Sequence, residues 1–411
     1  MSALNAAEQR LCDVIRARGA SLRETLAQWV AIPTGHNFAP GLDQFRGLLV
    51  DRLQSLGCGI ELFPGDPKPD WLYGQSAGGP IPPMAVARQS AGDGPRTLIA
   101  CHLDTVFPPP PTGAFSAMSI SADGRTATGP GVVDMKGGIL VALTALEALE
   151  EAGVRANWTM ALNSDEETGT YHSERALRAE AAKCQIGIAT EPALPDGSLA
   201  VERFGSGQFI LEAFGRGAHV GRDFDKGVSA TAALARAVVA ATDLADAEKG
   251  WIVNVGPMRG GEATNVVPDY AAAWGNVRFP TPEVCEALGR AIDGLATGAA
   301  GVPRVAVRRS FNRPAKPLTE GTRRLAELAQ RAAEDLGQRL PFGRTGGVCD
   351  GNILQDAGLP TIDTLGVRGG GLHTTGEWIE LASLVERAEL FAITLARLAE
   401  GRLDVSGTTR G

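Results

Sequence analysis

The chain has 411 residues, 44% of them hydrophobic and 21% charged, with a formal net charge of -8. That length exceeds what one hydrophobic core usually reaches and predicts two domains, while the acidic balance and the absence of any basic block argue against a nucleic-acid partner. No apolar run reaches the length of a membrane span, Met1 to Arg10 lacks the basic-then-apolar order of a signal peptide, and cysteines scattered at 12, 58, 101, 184, 285 and 349 suit a reduced cytoplasmic protein better than a disulfide framework.

Leu11, Val14, Ile15, Leu22, Leu26 and Val30 recur at roughly helical spacing and predict one helix over 7–31, weakened but not ended by Gly19 and stopping before Pro33. Phe45 to Leu56 predicts a second amphipathic helix, and 59–88 a strand, a Pro-rich turn and another strand. The run Thr97-Leu98-Ile99-Ala100 predicts a buried strand continuing through Cys101-His102-Leu103-Asp104-Thr105-Val106. Two residues apart on a strand, His102 and Asp104 share a face. A metal-bound histidine usually has its second ring nitrogen held by another group, often a carboxylate. His102 therefore reads as a metal ligand and Asp104 as its orienting partner; the competing reading is a buried hydrogen-bonded pair at a strand end. A proline run from Pro108 to Pro111 follows, which is neither helix nor central strand.

Gly129-Pro130-Gly131-Val132-Val133-Asp134-Met135-Lys136-Gly137-Gly138 is a tight loop opening a long helix from about Gly138 to Ala152. Such a loop can cradle phosphate. This one lacks the Gly-Lys-Ser/Thr of a nucleotide loop and an immediately preceding strand, and Asp134 at its centre would repel phosphate; a loop placing Asp134 near a cation fits better, against the plain turn with a solvated Asp. Trp158 to Asn163 predicts a strand running into Ser164-Asp165-Glu166-Glu167-Thr168-Gly169, three consecutive carboxylates that repel one another unless solvated or bound to metal. A helix and a strand Gln185 to Thr190 lead to Glu191-Pro192. Three strands thus each deliver an acidic or histidine residue at the carboxyl end, where α/β sheets build their sites.

From 203 to about 314 the order becomes strand (207–214), helix (227–246), strand (251–257), strand (268–279), helix (282–296), strand (304–309), the split βαβ arrangement of a complete small domain. A helix over 318–336, the loop Arg344 to Asn352, a strand at 360–365, Gly369-Gly370-Gly371-Leu372-His373-Thr374 and a final helix at about 382–400 complete the chain before a mobile polar tail. The fold class is α/β: a mixed, mostly parallel sheet flanked by helices (1–202 plus 315–411), interrupted by an inserted ferredoxin-like α+β lid and dimerisation domain (203–314).

Five candidate ligands, His102, Asp134, Glu167, Glu191 and His373, all fall in loops or at strand ends of the larger domain. Two neutral imidazoles and three carboxylates fit a pair of divalent transition ions, zinc above all. With Asp134 bridging, each ion receives one His and one Glu besides, and such a pair makes a hydroxide nucleophile at neutral pH and polarises a carbonyl. Glu166, beside the ligand Glu167, reads as the general base that takes the proton of water and passes it to the leaving amine. His219, in Gly217-Ala218-His219-Val220-Gly221, reads as a donor to the developing oxyanion, against a plain surface loop His.

These motifs resemble the zinc exopeptidase family that contains glutamate carboxypeptidase, aminoacylase, acetylornithine deacetylase and succinyl-diaminopimelate desuccinylase. The carriers are His-Leu-Asp-Thr-Val (102–106), the Gly-rich loop (129–138), Asp-Glu-Glu-Thr-Gly (165–169), Glu-Pro (191–192), Gly-Ala-His-Val-Gly (217–221), Gly-Gly-Glu-Ala-Thr-Asn-Val-Val-Pro (260–268) and Gly-Leu-His-Thr (371–374), in order over most of residues 20–400. The resemblance implies His102 and Glu191 on one zinc, Glu167 and His373 on the other, Asp134 shared, and Co2+ or Mn2+ as substitutes. It implies Glu166 as base, Asp104 as the partner of His102, His219 reaching the neighbouring subunit's site across a homodimer, Arg278 clamping the substrate carboxylate with Asn265 beside it, and Gly347 in a substrate-lining segment. His172 has no counterpart in it. The function implied is a metallopeptidase or amidohydrolase closest in look to glutamate carboxypeptidase, cleaving a C-terminal amino acid or an N-acyl amino acid. The rivals are an N-acyl amino acid deacylase and a non-catalytic metal-binding scaffold. Two hinges, near 202–206 and 312–317, are expected to let the domains close on substrate.

Overall fold

Strands Thr97–His102 and Trp158–Asn163 are buried at every position and run parallel, side by side. They form the centre of a six-stranded sheet ordered Gly59–Phe63, Met84–Gln89, Trp158–Asn163, Thr97–His102, Ile186–Ala189, Thr361–Ile362, antiparallel only in its first two pairings. Near-continuous apolar strands are what a parallel sheet covered on both faces requires. Ile99, Cys101, Met160 and Ile188 face one core with helices Ala6–Ala17, Gly137–Ala152 and Ser383–Ala399, while Leu98, Ala100 and Ala161 face a smaller one with Leu177 and Ile353 from the helices on the other side. The computed structural model describes residues 4–35, 38–74, 83–109, 115–298 and 300–403; the middle of the expected Pro-rich turn, the end of the proline run and most of the expected mobile tail lie outside them.

A second, four-stranded antiparallel sheet is ordered Ile252–Gly260, Tyr270–Phe279, Gly205–Phe214, Arg304–Arg313. Helices Ala230–Thr242 and Pro282–Asp293 cover one face, and Phe209, Leu211, Leu234, Val277, Leu288 and Ile292 make a core separate from the larger one. The chain enters and leaves this unit through adjacent segments, Arg203 and Lys316 exchanging both backbone hydrogen bonds at 2.9 Å.

Several elements differ from the expectations. The first helix breaks into Ala6–Ala17 and Gly19–Val30, because Arg18 turns its N–H back to Ile15 and its guanidinium to Glu147. The strand at 97 ends at His102, so Asp104 lies beyond it. A strand does precede the Gly-rich loop, Thr126–Thr128, too short to leave a periodic trace. The loop at 344–352 is half structured: Phe342–Thr345 pairs in parallel with Leu199–Arg203, and Asp350–Asp356 is a helix capped by Cys349 and Asn352. Among the described residues no helix is long and apolar enough to cross a membrane, and each of the six cysteines is free.

Candidate metal centre and active site

The parallel strands all point their carboxyl ends to one edge of the six-stranded sheet, and His102, the 164–167 turn and Glu191 leave from there. Asp134 arrives from a different direction. After Gly131, whose φ of 70° suits a residue without Cβ, the loop leaves helical geometry at Asp134 and Met135 and then starts helix Gly137–Ala152. A Cβ on Gly138 would collide with the carbonyl oxygen of Thr190, so that helix start can sit directly on the strand end carrying Glu191. His373 comes from the turn between Gly369–Gly370 and Trp378–Glu380, a hairpin joined to Thr126–Thr128 in a separate small sheet.

Together these elements put the two oxygens of Asp134 against different imidazoles. Oδ1 is 3.1 Å from His102 Nε2 and Oδ2 is 3.6 Å from His373 Nε2. Glu191 approaches His102 Nε2 at 3.9 Å, and Glu167 approaches His373 Nε2 at 3.3 Å. Ligand atoms of His102, Asp134 and Glu167 lie within 4.8 Å of one another, in an arrangement able to hold a metal ion. His102 Nδ1 meets the carbonyl oxygen of Asp104 at 3.0 Å; a carbonyl only accepts, so Nδ1 carries a proton and Nε2 is the nitrogen turned toward the two carboxylates. Asp104, Asp134 and Glu191 raise the proton affinity of His102 well above the ordinary imidazole range despite its burial, so a proton or a cation belongs between Nε2 and these oxygens, and the donor set fits a divalent metal.

The electrostatics carry the same strain. Burial, then the charge of Asp134, pushes the Glu167 carboxyl up to about 7. Burial likewise raises Glu191. Asp134 is held below the usual carboxylate range because His102 and His373 outweigh the effect of its burial, and Asp134 and Glu167 in turn raise His373 to about 10.

Asp104 does more than the expected pairing. Its carboxylate is 3.5 Å from His102 Nδ1, farther than its own carbonyl, and accepts the backbone N–H groups of Glu166 at 3.1 Å and Glu167 at 3.0 Å. Glu166 is largely buried beside the cluster with its Oε1 2.7 Å from Arg313 Nη2, and its carboxyl is raised well above the usual range by burial despite that guanidinium. Arg313, which sequence reasoning passed over as part of a hinge, also holds Asp350 at 2.8 Å. Arg203, Asp363 and Lys316 form a second buried ionic group nearby, with Arg203 and Lys316 both on Asp363.

A cleft of about 940 Å³ runs past the cluster between the two sheets, lined by Glu166, Glu167, His373, Arg278, Arg313 and Gly347 among others. Arg278 enters it from strand Tyr270–Phe279 with a buried Nη1 that has no hydrogen-bond partner among the described residues. His219 and Asn265 do not line the cleft, a departure from the expectation that placed Asn265 beside Arg278. They sit together on an exposed loop pair where His219 opposes Val266 and Val220 donates to the Asn265 carbonyl at 3.0 Å. His172 is half-buried and bonded to the Asp66 carbonyl, apart from the five candidate ligands.

The profile of Peptidase family M20/M25/M40 matches residues 98–397. The chain belongs to this family. It is 26% identical over 388 residues to carboxypeptidase G2 of Pseudomonas sp., covering 92% of this chain and 89% of that protein. It is 30% identical over 330 residues to a succinyl-diaminopimelate desuccinylase of Methylorubrum populi, covering 74% and 82%. A tripeptidase from Staphylococcus aureus shares the fold, with a TM-score of 0.74 at 22% identity over 93% of this chain and 99% of that one. As an M20 family member the chain is a metal-dependent hydrolase of the metallopeptidase and amidohydrolase class.

Proposed function

We propose that the chain cleaves the amide bond of a C-terminal amino acid or an N-acyl amino acid in the manner of a carboxypeptidase, using two zinc ions. His102 and Glu191 would hold one ion, Glu167 and His373 the other, with Asp134 shared. The observation that carries this reading is that the two oxygens of Asp134 address two separate imidazoles, each with its own glutamate. When bound, the ions supply Lewis acidity at the scissile carbonyl and lower the pKa of the attacking water.

The protein's own groups do the rest. Glu166, held at Oε1 by Arg313, takes a proton from water as the new C–O bond forms, and returns it to the nitrogen as the C–N bond breaks, leaving an acid and an amine. The half-buried Arg278 guanidinium, whose buried Nη1 has no hydrogen-bond partner among the described residues, suits the free carboxylate on the amine side of the substrate, which would give it a counter-charge. Gly347 lets the substrate pass close to the cleft wall.

Residues 1–202 and 315–411 form the catalytic domain in this reading, and 203–314 a lid that also dimerises. Support for the dimer comes from Val220, Phe224 and Val266, apolar and 40%, 66% and 45% exposed around His219, which would enter the neighbouring subunit's cleft and steady the oxyanion. Six free cysteines suit a cytoplasmic setting. The relation to a desuccinylase keeps an N-acyl amino acid deacylase as the second reading.

The test is metal analysis of purified protein together with a panel of peptides, N-acyl and N-succinyl amino acids. Two ions per chain and cleavage of members with a free carboxylate on the amine side are expected. Metal-loaded protein that cleaves none of them would remove the proposal.

A further inference from the structure

Four residues after His373, Glu377 has a fully buried carboxylate that no part of the reaction uses. Its Oε1 accepts the backbone N–H groups of Val133 at 2.8 Å and Asp134 at 3.0 Å, and its Oε2 faces that of Gly131 at 3.4 Å. Its own carbonyl accepts from Gly129 at 3.2 Å, and its N–H donates to the Thr374 carbonyl at 3.1 Å. Besides the turn's own backbone bonds, Val132 to Gly129 and Lys136 to Gly131, one side chain thus gathers the N–H groups around Asp134, and that side chain belongs to the hairpin that presents His373.

We infer that Glu377 is a positioning residue that fixes the Asp134 carboxylate between the two imidazoles and ties the placement of His373 to it. The inference rests on the proposal that Asp134 is shared by two ions. Its physical basis is the number of donors: three converging N–H groups in a buried turn need an anion with two oxygens. A glutamine offers one acceptor and turns an N–H against another N–H, and an aspartate is one methylene too short. Either change releases the turn, and Asp134 with it, while leaving Glu166, Arg278 and Arg313 of the cleft in place.

The experiment uses the full chain, stripped and reloaded with Co2+, as wild type, Glu377→Gln and Glu377→Asp. Metal affinity is measured by chelator competition, ligand geometry by the Co2+ absorption spectrum, and folding by circular dichroism of the metal-free proteins. Folded variants that bind Co2+ about 10- to 100-fold more weakly, with an altered spectrum, are expected, because loss of groups supporting metal ligands has effects of that size. Wild-type affinity and spectrum in both variants overturn the inference, and so does loss of folding in both, which would make Glu377 a part of the fold alone. Wild type that binds fewer than two ions defeats the shared-ligand proposal itself, and is read without any variant.

Discussion

Arg313 Nη2 lies 2.7 Å from Glu166 Oε1, a buried ion pair made between the last residue of strand Arg304–Arg313 and the turn that follows Trp158–Asn163. The same guanidinium neutralises Asp350, so a single cation serves two buried carboxylates. Replacing Arg313 with Met leaves both without a counter-charge, although Asp350 keeps the hydrogen bonds of Asn163 and Thr170. The variant should lose about 3–5 kcal/mol of stability in denaturant titration, the usual result of breaking a buried pair from one side. Because Arg313 lowers the proton affinity of Glu166, the acid limb of the activity profile should also move to higher pH in whatever folded protein remains. An unmoved limb would separate Arg313 from the base.

Glu166→Gln should bind metal as wild type does and lose about 10²- to 10⁴-fold in turnover, the range that a general base contributes. Metal content and kcat measured on one preparation decide it. A scaffold protein would show no wild-type turnover to lose.

Arg278→Met should raise KM for substrates carrying a free carboxylate by about 10- to 150-fold, equivalent to about 1.5–3 kcal/mol for hydrogen bonds to a charged group. The corresponding carboxamides should be poor substrates of the wild type and be affected little by the change. Equal losses on both would place Arg278 elsewhere in the mechanism.

Removing the metal should make stability fall as pH rises. Burial holds Glu167 at about 7 and Asp165 at about 6 in the folded chain, above their ordinary values of 4.5 and 3.8. As pH climbs through that interval the unfolded chain releases protons that the native state retains, so the balance shifts toward unfolding. His373 acts in the same direction: raised from 6.5 to about 10 by Asp134 and Glu167, it contributes stability fully present below pH 6.5 that disappears toward pH 10. Chelator-treated protein should therefore show a declining Tm from pH 5 to pH 8, and added metal should restore it, by about 2.7 kcal/mol at a hundred times Kd. A metal-free Tm that climbs over this range would contradict the charge arrangement.

If His219 serves the neighbouring subunit, mixing the two inactive variants His219→Ala and Glu166→Gln should restore activity. Half of the randomly reassorted dimers would be mixed, each with one complete site, giving about a quarter of wild-type activity in an isologous dimer. A site built within one chain gives none, and sedimentation as a fully active monomer would remove the dimer as well.

The amino-acid order alone determined the strand–helix alternation and the β-α-β-β-α-β pattern of the second sheet with its two helices, because apolar period and Gly/Pro punctuation are local properties. It also showed which acidic and histidine residues stand just past strand ends, where a parallel sheet leaves its sites. Folding decided what those residues face. Asp104 gives its carboxylate to the N–H groups of Glu166 and Glu167, over 60 residues away, as well as lying against His102. Glu377 reaches back to Val133, and Arg313 reaches across to Glu166, through pairings that leave no periodic mark in the chain. His219 and Asn265 come together on an exposed loop pair outside the cleft, a placement set by the register of the two short strands beside them. Local spacing encodes which backbone a segment prefers; the partner of a buried charge is fixed only when distant segments close around it and water is excluded.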